Sequence, residues 1–181
     1  AWQDVAKKAD GQFAAIDQDK GTLVIATPFD GDLARLSGEL NTTYVPYGAA
    51  GEWNSANQTA QDLNAASSNT AAAAQRCVTK GGGLYRNREW DLVDACQNAD
   101  FKLETVKEAD LPEAMRTMTP EQRKAYVSEK SAARQSIQKQ IAELGEKRSL
   151  FLADAIAKRD GKDATAFDRA IRNAIRAQAT A

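Results

Sequence analysis

Thr119-Pro120-Glu121-Gln122 opens the stretch that decides the fold, and the chain runs from it to Lys158-Arg159 without another proline. A hydroxyl at the N-cap, Pro at the first helical position and Gln three residues after the cap form a helix-start signature. Asp160-Gly161-Lys162 breaks the pattern at the far end. The spacing predicts one helix over about 119–159, roughly 60 Å long. That exceeds an ordinary globular helix, so other elements must lie along it. Tyr126, Ala133, Ile137, Ile141, Leu144, Phe151 and Ala155 form its stripe, in steps of four and three from Ile137, with Arg148 in the one gap. This is a narrow coiled-coil-like seam rather than a broad core face.

Beyond the break, Phe167, Ile171 and Ile175 stripe a final helix over about 163–178, whose outer face bears Arg169, Arg172 and Arg176. Upstream, residues 54–79 are rich in Ala, Asn, Gln and Ser, which admits a disordered linker. Against that, Trp53, Ala56, Ala60, Leu63, Ser67, Thr70, Ala74 and Cys77 recur at spacings of three and four. The seam predicts a single helix packed antiparallel on Ile137, Ile141 and Leu144. Gly81-Gly82-Gly83 stops it and is no phosphate loop, since no Gly-Lys-Ser/Thr follows. Residues 90–96 read as a short amphipathic helix, and Leu103, Val106 and Leu111 belong to a compact segment ending at Pro112.

Nearer the start, Thr27-Pro28-Phe29-Asp30 is a second helix opening, followed by the stripe Leu33, Leu36 and Leu40. Pro46 blocks helix in the connector 41–51. Residues 12–16 and 22–26 read as two apolar strands joined by a hairpin loop at 17–21. Strands this apolar are expected to be buried on both faces, and a lone ribbon is marginal, so the pair asks for a larger sheet. The expected fold class is therefore mainly α with a small β-hairpin.

Composition narrows the function. The chain has 181 residues, 43% apolar and 27% charged, with a net charge of −1, which reads as folded rather than disordered. No run reaches the length of a membrane span. The start, Ala1-Trp2-Gln3-Asp4-Val5, carries no apolar leader core, so the chain reads as processed or as a piece of something longer. From residue 113 onward 14 Lys and Arg stand against 9 Asp and Glu; with both signs interspersed this reads as a solvated helical face, the alternative being a basic end that attracts an anionic partner. Aromatic residues do not interleave with those cations, so nucleic-acid binding is not expected.

There is no histidine, which removes the commonest general base and metal ligand. Cys77 and Cys96 form no Cys-x-x-Cys pair; either one disulfide in an oxidising compartment or two free buried thiols fits. Asp17, Asp19 and Asp30 read as turn and cap residues, and Glu104, Glu108 and Asp110 as surface acidity without the pattern of a calcium loop. No catalytic, cofactor-binding or metal-binding residue and no cofactor is assigned. An enzyme would be a hydrolase using carboxylates, or Ser with Lys, without His. The reading preferred over it is a non-enzymatic protein-interaction or scaffold module with an unidentified protein partner.

Several stretches, in order, resemble bacterial proteins with a von Willebrand factor type A domain and a helical C-terminal extension. They are Trp2-Gln3-Asp4-Val5-Ala6, Gly11 to Asp17, Ala26 to Asp30 with its three leucines, and Thr43 to Gly48. Trp90 to Ala95, Asp110 to Glu113 and Met118 to Glu121 continue the series. The resemblance implies that residues 1–48 are the end of the α/β (Rossmann-like) domain and 49–181 the extension. It also implies export to the periplasm or beyond. The family's metal site begins Asp-x-Ser/Thr-x-Ser; the nearest residue here, Asp62, is followed by Leu-Asn-Ala-Ala, so no metal ligand carries over.

Overall fold

In the computed structural model, residues 4, 5, 8, 24–159, 175 and 176 are described. The chain divides into two compact units, residues 1–25 with 151–181, and residues 26–150. In the first, residues 4, 5, 8, 151–159, 175 and 176 are helical, while Val24 and Ile25 are irregular. The expected final helix is otherwise outside the described residues.

The second unit contains α1 (Asp30–Asn41), α2 (Gly51–Ser68), α3 (Thr70–Gly81), α4 (Leu92–Ala95) and α5 (Glu113–Arg116). Single 3-10 turns lie at Leu103–Thr105 and Glu108–Asp110. The long helix, α6, spans Pro120–Arg159. Its start forms the reciprocal capping box that its residues call for. The Thr119 amide donates to Gln122 Oε1 at 2.8 Å, and the Gln122 amide donates to Thr119 Oγ1 at 3.3 Å.

The expected α/β framework is corrected. Among the described residues there is no strand and no sheet; the β-type pairing present is an isolated bridge between Pro46 and Asp91. Val24, Ile25 and Ala26, the end of the expected second strand, are irregular, and the rest of the hairpin at 12–23 lies outside the described residues. A five-residue apolar run carries no period that separates a strand from an apolar lead-in to a helix. Here it leads directly into Thr27, whose amide donates to Asp30 Oδ2 at 2.9 Å and whose hydroxyl donates to Oδ1 at 2.7 Å.

The expected helix over 54–79 is broken at Asn69 into α2 and α3. The Asn69 side chain accepts from the Ala72 amide at 2.8 Å and so starts a new helix. Ser67 and Ser68 both donate to the Asn64 carbonyl, as short polar side chains do where they compete with the helix ladder. Only the α3 half of the small-residue seam is buried, at Ala74 and Cys77; Trp53 and Leu63 on α2 are 69% and 65% exposed.

α6 carries the core. Its most buried side chains are Val127, Arg134, Ile141 and Arg148, each seven residues after the last. Val127 closes a cluster with Val45, Leu92, Val93, Leu103, Leu111 and Met115. Ile141 closes a second with Leu33, Leu36, Leu40, Ala74 and Cys77. α3 and α6 approach closely and antiparallel: a Cβ on Gly81 would stand 2.8 Å from Ile141 Cγ2, and one on Gly145 3.3 Å from Val78 Cγ2. Ala133, expected in the seam, is exposed, and Arg134 takes the inward position.

Candidate functional site

The buried charged residues of the second unit, Asp30, Lys80, Asp91, Asp94, Arg134 and Arg148, fall into three nodes. Arg134, 2% exposed, donates to Asp91 Oδ2 at 2.6 Å, to Asp94 Oδ1 at 2.8 Å and to the Thr43 carbonyl at 2.8 Å. Its guanidinium lies 4.2 Å from the Tyr44 ring centroid, and Tyr44 stacks on Trp90 at 5.6 Å. The planar fork matches two carboxylates and a carbonyl at once. Burial, reinforced by neighbouring acids, pushes the Tyr44 phenol far above its ordinary pKa.

At the second node Lys80, 1% exposed, donates to Asn41 Oδ1 at 2.7 Å, to the Ser37 carbonyl at 3.2 Å and to Asp62. Asp62 also accepts from Arg76 Nε at 2.6 Å and Asn41 Nδ2 at 2.7 Å. Burial works against the Asp62 carboxylate, but the bonds from Lys80, Asn41 and Arg76 outweigh it and lower its pKa. At the third, Arg148 donates to Asp30 Oδ1 at 2.8 Å, Gln75 Oε1 at 3.0 Å and the Ala71 carbonyl at 3.2 Å. Asp30, expected at a cap, sits instead in the first turn, accepts from Thr27, and is lowered likewise, burial being overcome by Thr27 and Arg148.

Each of these ions is held by several partners, which commits it to the fold rather than to proton transfer. In the sequence, Asp30 reads as a cap, Arg148 as a gap in the seam and Asp62 only as a failed metal-motif match; nothing there singles out Lys80 or Arg134. One signal was available: Val127, Arg134, Ile141 and Arg148 alternate apolar and cationic at a constant step of seven, the spacing of inward positions on one helix face.

Outside the nodes, a cleft of about 480 Å³ opens between α6 and the segment from α4 to the first 3-10 turn. That is within the ordinary range of ligand sites. Val93, Phe101, Leu103 and Val127 give it apolar walls; Gln97, Gln135, Ser128 and Ser131 give neutral hydrogen-bonding groups. Its charged residues, Glu104 and Lys124, are paired with each other at 2.5 Å. The pairing lowers the Glu104 pKa and raises that of Lys124, so neither is poised as a base near neutral pH.

Cys96 also lines the cleft. Burial of its sulfur, with Asp91 and Glu104 nearby, raises its pKa and disfavours the thiolate. Cys77 is buried in the second cluster, pushed up to about 11 by burial. Both thiols are free, but only Cys77 is buried; Cys96 is exposed, which corrects the expected pair of buried thiols.

Glu108 is exposed and Asp110 half-buried in the second 3-10 turn; Asp17 and Asp19 lie outside the described residues. Among the described residues no group of three or more His, Cys, Asp or Glu stands close enough to hold a metal ion. Among them too, no helix is long and apolar enough to cross a membrane. The chain matches no protein-family model, no curated protein and no solved structure.

Proposed function

We propose that this chain is a non-enzymatic protein-interaction module, and that the cleft beside Cys96 receives a segment of its protein partner. The observation that carries the reading is the cleft's make-up: apolar walls, neutral amides and hydroxyls, and one self-neutralised ion pair. Such a surface suits an uncharged amphipathic segment, whose apolar side chains enter while its backbone meets Gln97, Ser131 and Gln135. If the resemblance of several stretches to von Willebrand A-type proteins reflects kinship, the helical part would act as a rigid arm of an exported protein.

A photo-crosslinking residue at Ser131 tests it in cells of the source organism. The expected result is a discrete protein adduct that weakens when Phe101→Ala removes part of the apolar wall. Adducts with small molecules alone would sink the reading. An interaction that collapses between low and moderate salt would transfer the partner to the basic residues instead.

A further inference from the structure

α2 and α3 form an antiparallel hairpin, in which Asp62 of α2 meets Arg76 and Lys80 of α3, and Asn69 alone joins them. Asn69 is extended, with φ −175° and ψ 166°. Its amide still donates to the Ala65 carbonyl at 3.4 Å, and its carbonyl accepts from the Ala73 amide at 3.2 Å. Helical i, i+4 bonds thus reach the joint from both sides. In a continuous helix the amides of Thr70, Ala71 and Ala72 would bond the carbonyls of Ala66, Ser67 and Ser68. The stripe Trp53, Ala56, Ala60, Leu63, Ser67, Thr70, Ala74 and Cys77 keeps helical register straight through Asn69. The backbone bonds and the sequence spacing therefore fit one helix of about 46 Å, where the folded chain makes two and buries only the α3 half of that stripe.

We infer that Asn69 is a hinge through which two copies of this chain exchange the part before it, residues 26–68 of the second unit, to form a domain-swapped dimer. The partner is specified by the interface between that part and the rest of the unit. Asp30 with Arg148, Asn41 and Asp62 with Lys80, and Thr43 with Arg134 all join residues before Asn69 to residues after it. A second copy supplies every one of these partners in trans, whereas an unrelated protein would leave buried charges unpaired. Since the closed and exchanged forms share those contacts, the hinge decides between them. A one-residue hinge favours exchange, and straightening it trades the Asn69 cap for a continuous ladder. Ser67, Ser68, Thr70 and Ala71 are small enough for two straightened helices to cross closely there.

The test uses the full chain and light scattering coupled to size exclusion, after refolding at high concentration. A slowly exchanging dimer is expected. Asn69→Ala removes the cap and favours helix at the hinge, raising the dimer-to-monomer ratio about tenfold. Inserting Gly-Gly after Asn69 returns the chain to monomer. A second measurement reads the topology. Lys130 Nζ donates to the Thr42 carbonyl at 3.0 Å across the exchanged interface. A chain with Thr42→Cys is refolded with one bearing Lys130→Cys, both carrying Cys96→Ala, and treated with a short bismaleimide. Cross-links between the two chains, confined to the dimer fraction, support the exchange. Monomer under all conditions, Asn69→Ala included, overturns it. So does a dimer in which the 42–130 link forms only within a chain carrying both cysteines.

Discussion

Arg148 of α6 donates from Nε to Asp30 Oδ1 at 2.8 Å, tying together side chains 118 positions apart in the sequence. The same carboxylate is the acceptor for both groups of Thr27 at the start of α1. One aspartate at the first turn of a short helix therefore binds the residue leading into it and anchors it to the long helix. Removing either partner leaves the other charge buried. Arg148→Met is expected to cost about 3–5 kcal/mol in urea unfolding. The double variant Asp30→Leu with Arg148→Met should lose clearly less than the sum of the two single changes. Additive losses would show that the pair is not coupled.

Arg134 should resist its conservative replacement. Lys places one point charge where the guanidinium reaches Asp91, Asp94 and the Thr43 carbonyl while lying over Tyr44. Arg134→Lys is therefore expected to destabilise by about 2–4 kcal/mol, close to the loss from Arg134→Met. A loss under about 0.5 kcal/mol for the lysine variant would mean that the fork geometry is irrelevant.

Gly81→Ala tests the close approach of α3 to α6. The added methyl would stand 2.8 Å from Ile141 Cγ2. The expected cost is about 1–3 kcal/mol despite alanine's better helix propensity. Ile141→Leu, which moves the branch away from Cβ, should recover part of it. Ile141→Asp should cost several kcal/mol by burying an unpaired charge where the side chain is 1% exposed.

Acid should unfold the chain through Asp30 and Asp62. Both have folded-state pKa values below the ordinary 3.8, because their hydrogen-bonded cations and donors outweigh burial. Depressed carboxylates stabilise the fold above the unfolded-state value, and that contribution is lost as pH falls through the folded-state value. These groups therefore leave stability level above about pH 5 and reduce it steadily below about pH 4. Asp30→Asn should start less stable and fall less steeply over the same window, as followed by urea midpoints.

The two thiols should separate in rate. Cys96 is exposed at the cleft, whereas Cys77 is fully buried and pushed from 9.0 to about 11. Near pH 8 that shift alone lowers the Cys77 thiolate fraction about a hundredfold, before burial is counted. Iodoacetamide on the native chain should modify Cys96 first, with Cys77 reacting only on unfolding. Equal rates, read by peptide mass spectrometry, would contradict the packing of Cys77 against Ile141.

The sequence by itself determined what depends on neighbours along the chain. Thr119-Pro120-Glu121-Gln122 specifies the start of α6 because the capping box needs only residues three apart. Leu33, Leu36 and Leu40 specify the buried stripe of α1 by helical spacing alone, and the inward position of Ile141 follows from the same period. What pairs across the fold was decided by the tertiary structure. Arg134 and Arg148 look like surface charges or gaps until Asp91, Asp94 and Asp30 arrive from elsewhere in the chain to neutralise them. Lys80 and Asp62 meet only because the chain turns at Asn69, and that turn cuts a periodic stripe that reads as one helix. Val24, Ile25 and Ala26, expected at the end of a strand, are irregular for the same reason: an apolar run says that a segment wants burial, and only its partners decide whether it pairs as a strand. The cleft beside Cys96 assembles residues from 93 to 135 and has no counterpart in any single stretch. Local spacing fixes capping and periodicity because both are set by backbone geometry. Long-range charge pairing and cavity shape depend on which surfaces finally exclude water.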